Sequence, residues 1–272
     1  MKMHKEKNLF LEPIDFASLY KKHKQESVFK GKSSESWDKR SGEMAPRMQK
    51  SAYVDEFISK MDIDGDEVVL DIGCGPGTLA VPLAKRVKKI IAIDFSRAML
   101  DELEKYAKNE GVSNIETHHL AWDDEWDKLL EDVDIIVASR SIEVKDISEA
   151  LAKMSKKAKK ACYVTYKVGG SFVDQEILDF IEKKIVTKPD FWYIPLILYK
   201  DGYLPKIDYI YTNDGSVRHN SKEEFVNTLV WSLGGLDERQ HELSCKFYDD
   251  FVVCEKYTKK PTVWAFISWS SC

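Results

Sequence analysis

The 272-residue chain is poor in the residues that build metal centres and disulfide frames. It has six histidines and five cysteines, and no Cys-x-x-Cys pair occurs among Cys74, Cys162, Cys245, Cys254 and Cys272. Those thiols read as reduced, and no zinc site is expected. His241 and Cys245 are spaced to share a helical face, but a lone pair of ligands does not make a metal centre. No apolar run approaches the roughly 20 residues a membrane-spanning helix needs, and Met1-Lys2-Met3-His4-Lys5 lacks a signal-peptide core. The expected location is the cytoplasm. An excess of basic charge is also missing. Lys and Arg number 41 against 46 Asp and Glu, a net charge of −5, so there is no bulk attraction to nucleic acid or acidic lipid. No internal repeat, low-complexity tract or linker divides the chain, and with 43% hydrophobic residues it suits one sizeable core with additions.

What is present centres on residues 68 to 78. Val68 to Ile72 is a short run of large β-formers, the pattern of a strand covered on both faces. Gly73, Gly75 and Gly77 then let the backbone turn sharply and approach a ligand closely, and Pro76 stiffens the turn. A helix over Thr78 to Val87 would aim its unpaired N–H groups at the bound group. The Gly-x-Gly-x-x-Gly dinucleotide fingerprint would need glycine at position 78, where the chain has Thr. Lys89 to Asp94 reads as a second buried strand. Its final acid lies roughly 20 residues past the glycines, where a doubly wound fold puts a carboxylate within reach of a ribose diol. Ser96 is placed to cap a helix running to Glu110, with Gly111 as its stop.

Further strands are expected at Asn114 to His118, Val133 to Ala138, Ala161 to Tyr166, Ile207 to Thr212 and Thr262 to Trp269. Helices are expected at Ile147 to Met154, Phe172 to Val186, Ser221 to Leu233 and Leu236 to Phe251. The aromatic block Phe191 to Tyr199 suits either a buried core helix or the roof of a pocket. Residues 1–35 read as a flexible or loosely docked arm with a short helix near Pro13 to Lys24. Residues 36–272 read as one domain with a helical lid insertion at about 171–205. The lysine-rich run from Lys153 to Lys160 reads as a solvated helix end.

Residues 68 to 78 together with Ile91-Ala92-Ile93-Asp94-Phe95-Ser96 and Met99-Leu100 resemble the first two motifs of the class I, Rossmann-like S-adenosylmethionine-dependent methyltransferases. The resemblance implies an α/β fold, a doubly wound and mostly parallel seven-stranded sheet with an N-terminal helical arm and an insertion after the fifth strand. It implies S-adenosylmethionine as cofactor and S-adenosylhomocysteine as product. By the same resemblance Asp71, Gly73, Cys74 and Gly75 would hold the amino-acid part, Asp94 the ribose, and Phe95 and Met99 the adenine side. The third-motif Gly-Asp is replaced by Leu120-Ala121, which passes its role to Trp122 with Asp123 or Asp124. Trp37 and Arg40 precede the first strand and either fold over the cradle or anchor a helix. Ser139, leaving the carboxyl end of the fourth strand, is a further candidate for holding the cofactor.

Arg140, Glu143 and Tyr166 fall at carboxyl ends of strands, where open α/β sheets present their chemistry, and are the candidates for positioning the acceptor. Arg140 can clamp a carboxylate or phosphate, or pair with Glu143 or Asp94 as structure. The Asn-Pro-Pro-Tyr signature of amino-directed nucleic-acid enzymes is absent, since the fourth strand ends in Ser139-Arg140-Ser141. The expected acceptor is therefore a small molecule. RNA or protein methylation, or a non-catalytic cofactor-binding regulator, are the alternatives.

Overall fold

The buried run Val68–Ile72 forms β1, which pairs in parallel with β2 (Lys89–Asp94) on one side and β4 (Val133–Ser139) on the other. β3 (Ile115–His119) joins β2, and β5 (Ala158–Lys167) joins β4, again in parallel. β7 (Thr262–Ser270) inserts antiparallel between β5 and β6 (Lys206–Thr212), which gives the order β3-β2-β1-β4-β5-β7-β6. This is the doubly wound, mostly parallel seven-stranded sheet expected from the sequence. The computed structural model describes residues 11–48, 51–212, 221–258 and 260–270.

Alternate side chains of each strand enter two different cores, as the period-two pleat requires. On one face α4 (Ala52–Ser59), α5 (Ala80–Ala84) and α6 (Arg97–Asn109) pack Phe57, Leu83 and Leu103 against Val69, Ile90 and Val137. On the other, α1 (Phe16–Glu26), α7 (Trp126–Leu129), α8 (Ile147–Lys157) and α10 (Tyr193–Lys200) pack Tyr20, Trp126, Leu151 and Ile197 against Leu70, Ile136 and Val164. A third, smaller core joins α9 (Gln175–Phe180), α11 (Lys222–Leu233) and α12 (Glu238–Phe247) through Ile177, Phe225 and Phe247. Phe29, from the chain just after α1, is buried in that third core. Two short helices, α2 (Ser34–Asp38) and α3 (Ser41–Met48), complete the N-terminal layer.

Several elements differ from the sequence reading. Residues 11 to 35, expected as a flexible or loosely docked arm, are docked firmly: Tyr20 is fully buried, donates to Val144 O at 2.9 Å and meets Tyr193 edge-on at 5.6 Å. Phe16 and Tyr20 pack on the core from a lysine-rich helix, too few apolar residues to register as periodicity. Residues 1–10 lie outside the described residues. The expected helix over Phe172 to Val186 is confined to Gln175–Phe180. It ends in a left-handed residue, Glu182 at φ 54°, where Lys183 N bonds back to Leu178 O at 2.9 Å. The helix after the glycine turn is shorter than expected because Pro82 has no amide to bond to the carbonyl of Thr78. Within the expected lid, α10 lies on the sheet, with Ile194, Ile197 and Leu198 buried.

Candidate active site

The strand order reverses between β1 and β4, so a crevice opens at their carboxyl ends. The turn after β1 needs its glycines for two separate reasons. Gly73 and Gly77 have φ of 68° and 81°, a region costly for other residues. A Cβ on Gly73 would also stand 2.5 Å from Ser141 Cβ, and one on Gly77 would stand 2.9 Å from Leu103 Cγ. Ser141 Oγ donates to Ile72 O at 2.5 Å, and Trp122 Nε1 donates to Ser141 O at 3.0 Å. The loop after β4 therefore rests directly on the turn after β1.

Two carboxylates floor the crevice. Asp71 is 1% exposed, and its Oδ2 has no hydrogen-bond partner among the described residues. Burial, and then the neighbouring Asp94, push its pKa up to about 7. Asp94 ends β2 and accepts from Gly75 N and Ser96 N, each at 2.9 Å. Burial raises its pKa against the pull of those amides. Each Asp94 oxygen keeps a lone pair for a further donor. Cys74 is buried beside them, and burial pushes its thiol well above the ordinary range, so it lines the site as an inert wall. Phe95 is 38% exposed at the rim, and Met99 is buried in the first turn of α6.

The chain before β1 hooks onto this rim. Ser96 Oγ, which caps α6 by accepting from Met99 N at 3.2 Å, donates to Asp38 Oδ1 at 2.5 Å. Ala98 N donates to the same oxygen at 3.3 Å. This holds α2, and with it the half-buried Trp37, beside Asp94 and Phe95. Arg40, expected over the cradle, lies instead with its guanidinium 4.6 Å from the ring centre of Trp231 in α11 and 3.6 Å from Glu43. Among the acids expected after β3, Asp124 closes its own turn by accepting from Ala121 N at 2.7 Å, and Asp123 is exposed.

On the β4–β5 side, Tyr53 OH lies 2.8 Å from Ser139 Oγ and 2.6 Å from Thr165 Oγ1. Arg140 N donates to that same Thr165 oxygen at 3.0 Å. Arg140 is left-handed at φ 60°, an unusual conformation for a side-chain-bearing residue. Its guanidinium lies 4.3 Å from the ring centre of Tyr53 and 5.8 Å from that of Trp264, with no carboxylate partner among the described residues. Glu143 sits farther along the same loop, 2.7 Å from Lys188 Nζ and 3.7 Å from Lys24 Nζ. Tyr166 points to the opposite sheet face from Thr165. It is 2% exposed, and its hydroxyl faces that of Tyr20 in the core.

A profile described as a methyltransferase domain matches residues 69–161. An uncharacterized protein of Haemophilus influenzae is 33% identical over 260 residues, 94% of this chain and 97% of that protein. The chain belongs to the class I S-adenosylmethionine-dependent methyltransferases. Among solved structures, coclaurine N-methyltransferase bound to N-methylheliamine and S-adenosylhomocysteine has the same fold, with a TM-score of 0.55 at 14% identity, covering 97% of this chain and 89% of that one. A 23S rRNA (uracil(1939)-C(5))-methyltransferase of Alcanivorax borkumensis is 38% identical over 63 residues, 23% of this chain but only 14% of that enzyme.

The cradle of this methyltransferase fits S-adenosylmethionine on its own terms. Two buried carboxylates lie side by side, one with an oxygen lacking any partner, and the ligand brings a sulfonium, an ammonium and a ribose diol. Asp71, with the turn from Gly73 to Gly75, can receive the amino-acid end, and Asp94 can receive the diol. The sequence had not singled out Tyr53, Thr165, Trp264, Asp38 or Ser141. Each is an ordinary residue of its element, and the crevice gathers them only through long-range pairing: Thr165 by the register of β4 with β5, Trp264 by that of β5 with β7, Tyr53 from α4 and Asp38 from α2.

Proposed function

We propose that this methyltransferase transfers its methyl group to a small-molecule acceptor bound over the carboxyl ends of β4 and β5. The observation that carries this reading is Arg140, held left-handed by Thr165, laid between Tyr53 and Trp264, and left without a carboxylate. A fixed guanidinium on an aromatic wall suits one compact polar ligand.

Bound S-adenosylmethionine supplies a methyl on a positively charged sulfur, open to in-line displacement. The residues need mainly to align and enclose, and alignment alone is worth roughly 7–11 kcal/mol. Ser139, Tyr53 and Thr165 fix the backbone of Arg140, and Arg140 orients the acceptor.

An RNA track over the lysines from 153 to 160 has little support. Lys157 is 8% exposed and donates to Asp127 O and Leu130 O at 2.8 and 2.5 Å, and Lys160 pairs with Asp64 and Glu67, both at 2.8 Å. The run also spans the start of β5, the edge of the sheet opposite the crevice. The test is to supply labelled S-adenosylmethionine with a cell extract divided by ultrafiltration. Label appearing in the small-molecule filtrate, and lost in Arg140→Ala with cofactor affinity retained, is the expected result. Label confined to RNA or protein overturns the proposal.

A further inference from the structure

Beside the crevice, two lysines from different parts of the chain share one carboxylate. Lys24 comes from α1 and Lys188 from the segment before α10, and both side chains are 14% exposed. Glu143 lies 2.7 Å from Lys188 Nζ but 3.7 Å from Lys24 Nζ. Lys24 Nζ is buried with no hydrogen-bond partner among the described residues. Burial holds its pKa below the ordinary lysine range, with Glu143 opposing and Lys188 adding to the drop. Two buried cations with one carboxylate leave an uncompensated positive charge, a costly arrangement unless something else completes it.

The Tyr166 hydroxyl, 2% exposed at the end of β5, does not compete for this charge: it faces Tyr20, which donates its own proton to Val144 O at 2.9 Å and keeps an oxygen that accepts from Tyr166. Lys24 is thus left as a donor without a hydrogen-bond partner where two cations share one carboxylate.

The surroundings are apolar on one side. Lys188 Nζ lies 4.9 Å from the ring centre of Phe172 and 5.5 Å from that of Phe29. Phe172 in turn lies 6.0 Å from Trp264, the ring that also faces Arg140. A row of aromatic faces therefore runs from Arg140 to Lys188 across the ends of β4, β5 and β7.

We infer that the acceptor carries an anionic group, a carboxylate or a phosphate, which Lys24 and Lys188 receive while its apolar body lies along Phe172 and Trp264. This rests on the small-molecule reading above and names the class of molecule. Glu143 then has a definite part. Its single charge keeps the pocket from being overwhelmingly cationic when empty, and it competes with the ligand for Lys188.

The full-length protein loaded with S-adenosylhomocysteine is titrated by calorimetry with benzoate, phenyl phosphate and the neutral benzyl alcohol. The anionic probes are expected to bind at least tenfold more tightly than benzyl alcohol, and whichever of the two binds more tightly distinguishes carboxylate from phosphate. Lys188→Met should weaken the better anion at least tenfold with no change for benzyl alcohol. Glu143→Gln should strengthen the same anion several-fold, an effect a merely structural ion pair would not give. Lys24→Met, which keeps the length of a buried side chain, gives a second reading where the Lys188 variant is unstable. Equal binding of all three probes, or anion binding indifferent to both lysine variants, overturns the inference and leaves the cofactor assignment standing. Failure of S-adenosylhomocysteine itself to bind overturns the cofactor reading instead.

Discussion

Replacing Asp71 by Asn tests the centre of the site with a change of one atom. In the folded protein burial and Asp94 raise the Asp71 pKa from 3.8 to about 7. Between those values the native state holds a proton that the unfolded chain has released. Stability from this group is therefore fully present below 3.8 and is lost as pH rises to about 7. From about pH 5 to pH 7 the loss accumulates at roughly 1.4 kcal/mol per pH unit, or about 2–3 kcal/mol in all. For a chain of this size that is on the order of 5 °C in Tm. Glu67, whose pKa is lowered to about 2 with Lys160 and backbone amides as its stabilising partners, acts only below this range. Thermal denaturation of the cofactor-free protein across the range should show the wild type falling more steeply than Asp71→Asn, in which Asp94, also raised by burial, leaves a smaller slope, with the variant the more stable at about pH 8. Calorimetry in buffers of different ionisation heat adds a second reading. S-adenosylmethionine binding near pH 6 should release a proton from the wild type and none from the variant. Parallel stability profiles, or equal proton release, would refute the assignment of a protonated Asp71 in the empty cradle.

Other outcomes follow from the same geometry. Asp94→Ala should weaken S-adenosylmethionine at least tenfold by calorimetry, since the diol's acceptor and the Gly75 and Ser96 amide contacts go together; unchanged affinity would remove it from the ribose site. Gly73→Ala should cost about 1–3 kcal/mol in denaturant unfolding, because its Cβ meets Ser141 at 2.5 Å and its φ is 68°. Adding Ser141→Gly should recover only the part due to contact, and full recovery would show that the backbone angle costs nothing. Tyr53→Phe should lower methyl transfer while sparing cofactor affinity, because it frees Ser139 and the ring under Arg140 stays; lost cofactor affinity would place Tyr53 with the cradle instead.

The part of the fold that was legible in the sequence was the part written in short-range patterns. Val68 to Ile72 and Lys89 to Ile93 are covered on both faces and read as strands without help, and the glycines and Asp94 pointed to the turn at the carboxyl ends of those strands. The acceptor side was legible only as a place. Arg140 was visible as the residue leaving β4, but its backbone angle and its two aromatic neighbours depend on α4 and β7, distant in the chain. Lys24 and Lys188 were invisible for the same reason: each is an ordinary surface-type residue in its own segment, and Glu143 brings them together only in the folded molecule. Tyr20 shows the limit from the other direction: the short helix around it was legible, but its docking through that buried ring was not.

The contact between Gly73 and Ser141 bears on how such an enzyme can change what it modifies. The donor turn and the first residues after β4 share a wall with no spare volume, so a larger residue at 141 would disturb the cradle before it touched any acceptor. Diversification of the acceptor pocket is thereby pushed outward, to positions such as Lys24, Phe172 and Lys188 that arrive from helices and loops with no part in the cradle. Donor chemistry is held rigid and acceptor choice is carried by removable neighbours, an arrangement in which one can evolve without relearning the other.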